Sequence, residues 1–396
     1  MTDLLIKPEE AGAPGKTGAE TGADRYRLRQ LALKSIEIIK AGQAPGGAIV
    51  ACPNFTVYRY CWLRDGSFCA HALALTGSKE EAAAFHRWVG RVLENHREKA
   101  EAVLRRHKQA EKLTDGDFLN TRYTLEGLEE APHADGEEWW NFQLDGYGTW
   151  LWALGEYLTR HPDAALRQEL AGPVELTVQY LSAFWKLPNF DCWEENRHDI
   201  HPATLAAIYG GLRAAARLYP ESAICAAGNR QASALATFVK KAGIYNGSLV
   251  KSLGRSDVDA SLLGAFEPYN LFPLRGQVAR STLARIENEL VAQDGGVYRY
   301  RKDVYFGGGE WLLLTGWLGW YYVRSGQRDK ARACLKWMVK QAGDDGQLPE
   351  QVSHFLLAPE HLPVWETRWG KSAMPLLWSH AMYLILYIAL YGEDNI

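Results

Sequence analysis

Between residues 189 and 197 the chain reads NFDCWEENR, which sets Glu194 and Glu195 directly behind Trp193 in a segment without helical periodicity. Far downstream, GQLPEQ places a third carboxylate, Glu350, on another turn-rich stretch, behind a proline that fixes the local backbone. Two carboxylic acids on separate loops among tryptophans suit cleavage of a glycosidic bond. One protonates the departing oxygen and the other works on the opposite face of the sugar. Adjacent side chains seldom reach one atom from the same direction, so only one of Glu194 and Glu195 can be the acid, leaving the other to bind a hydroxyl. Burial beside Trp193 and repulsion from the neighbouring carboxylate would favour the neutral, proton-donating form. Taken singly, each segment has a plainer reading as solvated charge.

Three further segments mix aromatic and charged residues in the way a sugar demands, since a sugar offers C–H faces for stacking and hydroxyls for charged hydrogen bonds. In VYRYCWLRDGSF (57–68), Trp62, Arg64 and Asp65 could fix a terminal hexose; the alternative is that Asp65 caps a helix and Arg64 pairs with a neighbour. In EEWWNFQLDGYGTWLWAL (137–154), Trp139 and Trp140 could wall a pocket with Gln143 and Asp145 near its mouth. Tyr147, Trp150 and Trp152 fall in a helical apolar pattern and belong to the core. In DGGVYRYRKDVYFGGGEW (294–311), Arg299 is the best substrate ligand. Gly307–Gly309 permit close backbone approach but lack the lysine and the strand-turn-helix context of a phosphate loop. His198 and His201 have a spacing that could hold a metal, yet no third ligand stands in register, so a structural role is expected. The chemistry requires no metal and no organic cofactor.

The elements that must position these residues are helices. Apolar periodicity of the helical kind recurs from about residue 25 to the C-terminus, and no long run alternates as a strand does. About eleven helices are predicted: one at 25–41, one from Arg64, one after a capping-box pattern at Ser78 and Glu81, then 143–160, 171–186, 202–217, 229–242, 281–291, 310–325, 328–341 and 375–391. The fold class is all-α, and the count suits a closed ring of helical hairpins. Between hairpins lie long aromatic or glycine-rich connections at 52–63, 115–140, 187–201, 244–280, 292–309 and 342–373, which a closed ring would gather at one end.

Residues 1–24 read as a flexible polar leader, and 25–396 as a single domain. The 44 Lys and Arg against 47 Asp and Glu leave a net charge of −3, with no basic field to attract nucleic acid. The leader lacks the apolar core of a signal peptide and no stretch suits a bilayer, so a cytoplasmic protein with no membrane partner is expected. Six scattered cysteines read as buried free thiols.

YRYCWLRDGSF, WNFQLDGYG, WEEN, DVDASLL, GGVYRYRKDVYFGGGEW, LPEQ and the terminal PLLWSHA, in that order over most of the chain after about residue 45, resemble glycoside hydrolase family 15, the glucoamylase family. The resemblance implies an (α/α)6 barrel that hydrolyses α-glucosidic bonds from the non-reducing end with inversion, releasing β-glucose. It makes Glu194 the general acid, Glu195 a substrate-binding carboxylate and Glu350 the general base. It also implies that Arg64 and Asp65 grip the terminal glucose, that Tyr58 stands near the developing positive charge, that Trp139 walls the site and that Arg299 reaches toward the next sugar. The N-terminal β-sandwich of many bacterial relatives and the starch-binding module of fungal ones have no room here. Short α-glucosides such as isomaltose or isomalto-oligosaccharides are therefore the expected substrates. Malto-oligosaccharides or starch come next, then trehalose; a catalytically silent carbohydrate-binding barrel and a phosphorylase are the competing classes, and oligomeric state is not encoded in these motifs.

Overall fold

The computed structural model describes residues 21–130 and 142–396. Among them are fourteen α-helices: α1 (Gly22–Ala41), α2 (Leu63–Leu75), α3 (Lys79–Asn95), α4 (Arg97–Lys108), α5 (Asp145–Arg160), α6 (Ala164–Glu169), α7 (Ala171–Phe184), α8 (Pro202–Leu218), α9 (Ala223–Ala242), α10 (Gln277–Leu290), α11 (Leu312–Ser325), α12 (Arg328–Lys340), α13 (Leu362–Trp369) and α14 (Leu377–Tyr391). Three two-residue antiparallel pairs join loops rather than forming a sheet layer.

Helices α2, α5, α8, α11 and α14 form an inner ring, closed where α14 packs against α2. The place between α8 and α11 is taken by a 3-10 segment, Ala260–Ala265, which touches both. Helices α1, α3, α7, α9, α10 and α12 lie outside and alternate with the inner elements along the chain, giving the twelve elements of an (α/α)6 barrel in two concentric layers. The inner helices are apolar nearly all round because both faces are covered. In α2 every residue from Leu63 to Ala74 is buried, and α14 buries nearly all of LWSHAMYLILYIALY. Tyr147, Trp150 and Trp152 are core, as their periodicity indicates.

Glycines let α5 and α8 approach closely. A Cβ on Gly211 would sit 2.3 Å from the Gly148 carbonyl oxygen, and one on Gly148 would sit 2.5 Å from that of Ala207. Both obstacles are backbone, which cannot swing aside.

The periodicity reading errs where local signals are weak or tertiary contacts override them. Helix α1 starts at Gly22, not Arg25, because Thr21 caps it in a reciprocal box with Asp24. The capping box expected at Ser78 and Glu81 does not form: Ser78 precedes α3 without a side-chain cap bond, and Glu81 is drawn to Lys40 at 2.7 Å. Helices α6 and α13 are additions to the predicted set, the helix predicted after Ser78 with its charged later part is broken at His96 into α3 and α4, and the expected loop 244–280 contains the inner 3-10 segment. Cys52, Cys61, Cys69 and Cys334 are buried thiols, but Cys192 and Cys225 are only partly so. No helix of the described residues is long and apolar enough to cross a membrane.

Candidate active site

The long connections meet at one end of the barrel. Trp62 and Arg122 face each other in the pair Cys61–Trp62/Arg122–Tyr123, while Glu310–Trp311 pairs with Gln351–Val352 immediately after Glu350. These short ladders bring loops distant in sequence into contact.

The turn bearing Glu194 is built around Asp191. Its carboxylate accepts from the backbone N–H of Trp193 and of Glu195 at 3.0 and 2.9 Å, and the Glu194 N–H reaches the Asp191 carbonyl at 2.9 Å. Glu194 is thereby held at φ +64, a left-handed conformation that non-glycine residues seldom adopt. The Trp62 indole N–H donates to its carboxylate at 2.5 Å. Glu195 points elsewhere, accepting from Arg299 at 3.1 Å and from the Tyr300 hydroxyl at 2.5 Å. Burial raises the proton affinity of Glu195, and Arg299 partly offsets it. Adjacent in sequence, the two carboxylates are thus tied to different walls.

Beneath this turn the Lys251 ammonium bridges Asp191 at 3.0 Å and Asp259 at 2.7 Å and lies over the Tyr300 ring at 3.9 Å. Asp259 also accepts from the Trp193 indole at 3.0 Å. Desolvation of Lys251 is outweighed by these carboxylates, which raise its pKa and keep it charged.

Glu350 is held by its backbone, whose N–H donates to the Ala373 carbonyl and whose carbonyl accepts from the Leu312 N–H. Its loop is pinned from α14. The Leu348 N–H donates to Nε2 of His380, whose Nδ1 lies 2.9 Å from the Ser35 hydroxyl, and the Ser379 hydroxyl donates to the Pro349 carbonyl. Burial pushes the His380 pKa down to about 3, so the ring is neutral and Nε2 is free to accept. Burial also pushes the Glu350 pKa up to about 8, opposed by Arg299 and by the nearby Tyr58 hydroxyl. The Tyr58 and Tyr305 hydroxyls bond each other, and the charges of both Glu194 and Glu350 bear on the pair.

Arg64 and Asp65, in the first turn of α2, lie 3.2 Å apart, and Arg64 donates to Asp145 at 3.1 Å and to Gln143 at 3.2 Å. Burial raises the Asp65 pKa to about 6 against the pull of Arg64. Within this cluster Gln143 Nε2 and Asp145 Oδ1 are buried with no hydrogen-bond partner in the protein, whereas Arg64 Nε and Asp65 Oδ2 meet only each other, as an ion pair without hydrogen-bond geometry. Buried polar atoms without partners are rare, and this donor and this acceptor beside the Arg64–Asp65 pair form a cluster able to take hydroxyl groups.

Arg299 is almost wholly buried, forked onto Asp303 at 2.7 and 2.5 Å and surrounded by the Trp193, Tyr300, Tyr305 and Trp311 rings. Two of its nitrogens are thus engaged inside the protein. Tyr58, Trp62, Arg64, Asp65, Trp193, Glu194, Glu195, Arg299 and Glu350 therefore share one site; Trp139 lies outside the described residues. His201 is structural, with Nε2 near the Asn189 and Asn196 carbonyls and Nδ1 near the Ser252 hydroxyl. Sequence reasoning missed the supports: Asp191, Asp259, Asp303 and Tyr305 sit inside quoted motifs, but Lys251 lies outside all of them.

The sequence profile of glycosyl hydrolases family 15 matches residues 27–387. An isomaltose glucohydrolase from Kribbella flavida is 42% identical over 376 residues, 93% of this chain and 95% of its own. A glycosidase variant solved in complex with glucose superposes with a TM-score of 0.89 at 39% identity, covering 93% of this chain and 98% of its own. A bacterial glucoamylase complexed with acarbose shares the fold at a TM-score of 0.69 and 19% identity, covering 94% of this chain and 58% of its own.

Proposed function

From the premise that this chain belongs to glycosyl hydrolases family 15 and is a glycoside hydrolase, we propose that it removes a terminal glucose from short α-glucosides by direct displacement with water. In this reading Arg64, Asp65, Gln143 and Asp145 bind the hydroxyls of that glucose. Glu194 protonates the glycosidic oxygen, and the Trp62 N–H stabilises the carboxylate that the acid becomes. Glu350 takes a proton from the water attacking the anomeric carbon. Its raised proton affinity suits that task, because a stronger base removes the proton more readily. Tyr58 orients Glu350, and Glu195 with Arg299 and Tyr300 lines the side where the departing sugar lies. Inversion follows if water enters on the face opposite the leaving oxygen.

The observation that carries the reading is the convergence of two glutamates from separate loops on one tyrosine pair, with the buried Arg64–Asp65 ion pair and the partnerless Gln143 Nε2 and Asp145 Oδ1 in the same site. Isomaltose is the proposed substrate, supported by the similarity to the Kribbella protein across nearly the whole of both chains. The cytoplasm is the proposed compartment. The test incubates the protein with isomaltose, maltose, longer homologues, trehalose and nigerose and follows the first-formed glucose anomer by NMR. β-Glucose should appear first and fastest from isomaltose; α-glucose as the first product would exclude inversion, and glucose released faster from trehalose or maltose would overturn the linkage assignment.

A further inference from the structure

Arg122 has no part in the site described above. It is fully buried, directly opposite Trp62 in its two-residue ladder. Its Nε and Nη2 donate to the two carboxylate oxygens of Glu130 at 2.7 and 2.6 Å, and Nη1 donates to the Val57 carbonyl at 3.2 Å. The guanidinium carbon lies 4.5 Å from the Tyr60 ring centre and 4.7 Å from that of Trp62. Those two rings meet edge to face at 87°, and the guanidinium packs against both.

Two of these contacts, to Trp62 and to Val57, lead to a reacting group. The Trp62 indole donates to Glu194, and Val57 lies in the turn Thr56–Tyr58 whose tyrosine hydroxyl lies close enough to Glu350 to favour its charged form. We propose that Arg122 is a positioning residue for both carboxylates, one planar fork setting the indole that serves Glu194 and the turn that serves Glu350. This rests on the reading of those glutamates as acid and base. A cation on an indole face also draws electron density from the ring and strengthens its N–H as a donor. That bond tightens as Glu194 gives up its proton, so its benefit is greatest in the transition state. Lysine cannot replace the fork, because a point charge lacks the paired, fixed donors.

The test measures kcat, KM and thermal unfolding for Arg122→Lys, alone and combined with Trp62→Phe. Removing Arg122 takes a buried positive charge from beside Glu130, so Arg122→Met/Glu130→Gln, which takes out both charges, is measured beside it. Arg122→Lys should lower kcat about 10- to 100-fold with KM changed less than about threefold. In the Trp62→Phe background that effect should shrink at least about threefold, because the indole through which Arg122 acts is gone. An equal effect in both backgrounds, or wild-type kcat in both Arg122 variants, would overturn the proposal. Glu194→Gln is assayed in parallel: wild-type turnover there would mean that the acid assignment fails, whereas an inactive Glu194→Gln with additive effects at Arg122 and Trp62 rejects Arg122 alone.

Discussion

Two adjacent glutamates have separate environments because the Asp191 turn aims one at Trp62 and the other at Arg299. Replacing Glu194 or Glu350 with Gln should reduce kcat at least about 10²-fold, the scale of general acid–base catalysis, while circular dichroism stays unchanged. Glu350 also makes a thermodynamic prediction. Its folded pKa of about 8 lies above its ordinary value of 4.5, so between those values the folded protein holds a proton that the unfolded chain has released. Stability from this group is present below pH 4.5 and is lost as pH rises through about 8. The Tm of the wild type should therefore fall across that window more steeply than the Tm of Glu350→Gln. The same raised affinity places the acidic limb of kcat/KM above the ordinary carboxylate range.

At the scale of elements, the site depends on loops clamped to a rigid ring. Lys251 holds the Asp191 turn to the segment that leads into the inner 3-10 helix, in a setting where neither carboxylate has much water. Lys251→Met leaves both carboxylates without their cation and should destabilise by about 3–5 kcal/mol, the usual result of breaking a buried ion pair from one side. The measurement is urea unfolding; an unchanged midpoint would show that the bridge holds nothing. Gly211→Ala tests the ring itself. Its new methyl would meet the Gly148 carbonyl oxygen at 2.3 Å, so α5 and α8 must separate, at a cost of about 1–3 kcal/mol seen as a lower Tm.

The whole molecule closes on itself, with α14 packed against both α2 and the N-terminal α1. We propose that residues from α1 onward form one domain, because each inner helix is buried by both neighbours and none can leave without exposing the next. Calorimetry should give a single transition with equal van't Hoff and calorimetric enthalpies; two resolved transitions would mean two units.

Much of this was legible in the residues. Helical spacing of apolar side chains follows from the helix itself, so the inner and outer helices could be read one by one, and the WEEN and LPEQ segments announced acidic chemistry on loops. Short helices such as α6 and α13 escaped because six or eight residues carry too little periodicity, and the inner 3-10 segment because its apolar run owes its conformation to α8 and α11. What the sequence by itself determined is the set of longer helices, their buried faces and the kinds of side chain available for chemistry, all local properties of a chain. Only the tertiary structure decided that Lys251 would join Asp191 to Asp259, that Arg122 would stand behind Trp62, and that burial would raise the pKa of Glu350. Ion pairing and desolvation depend on distance in space and on the exclusion of water, and neither is a function of position along the chain.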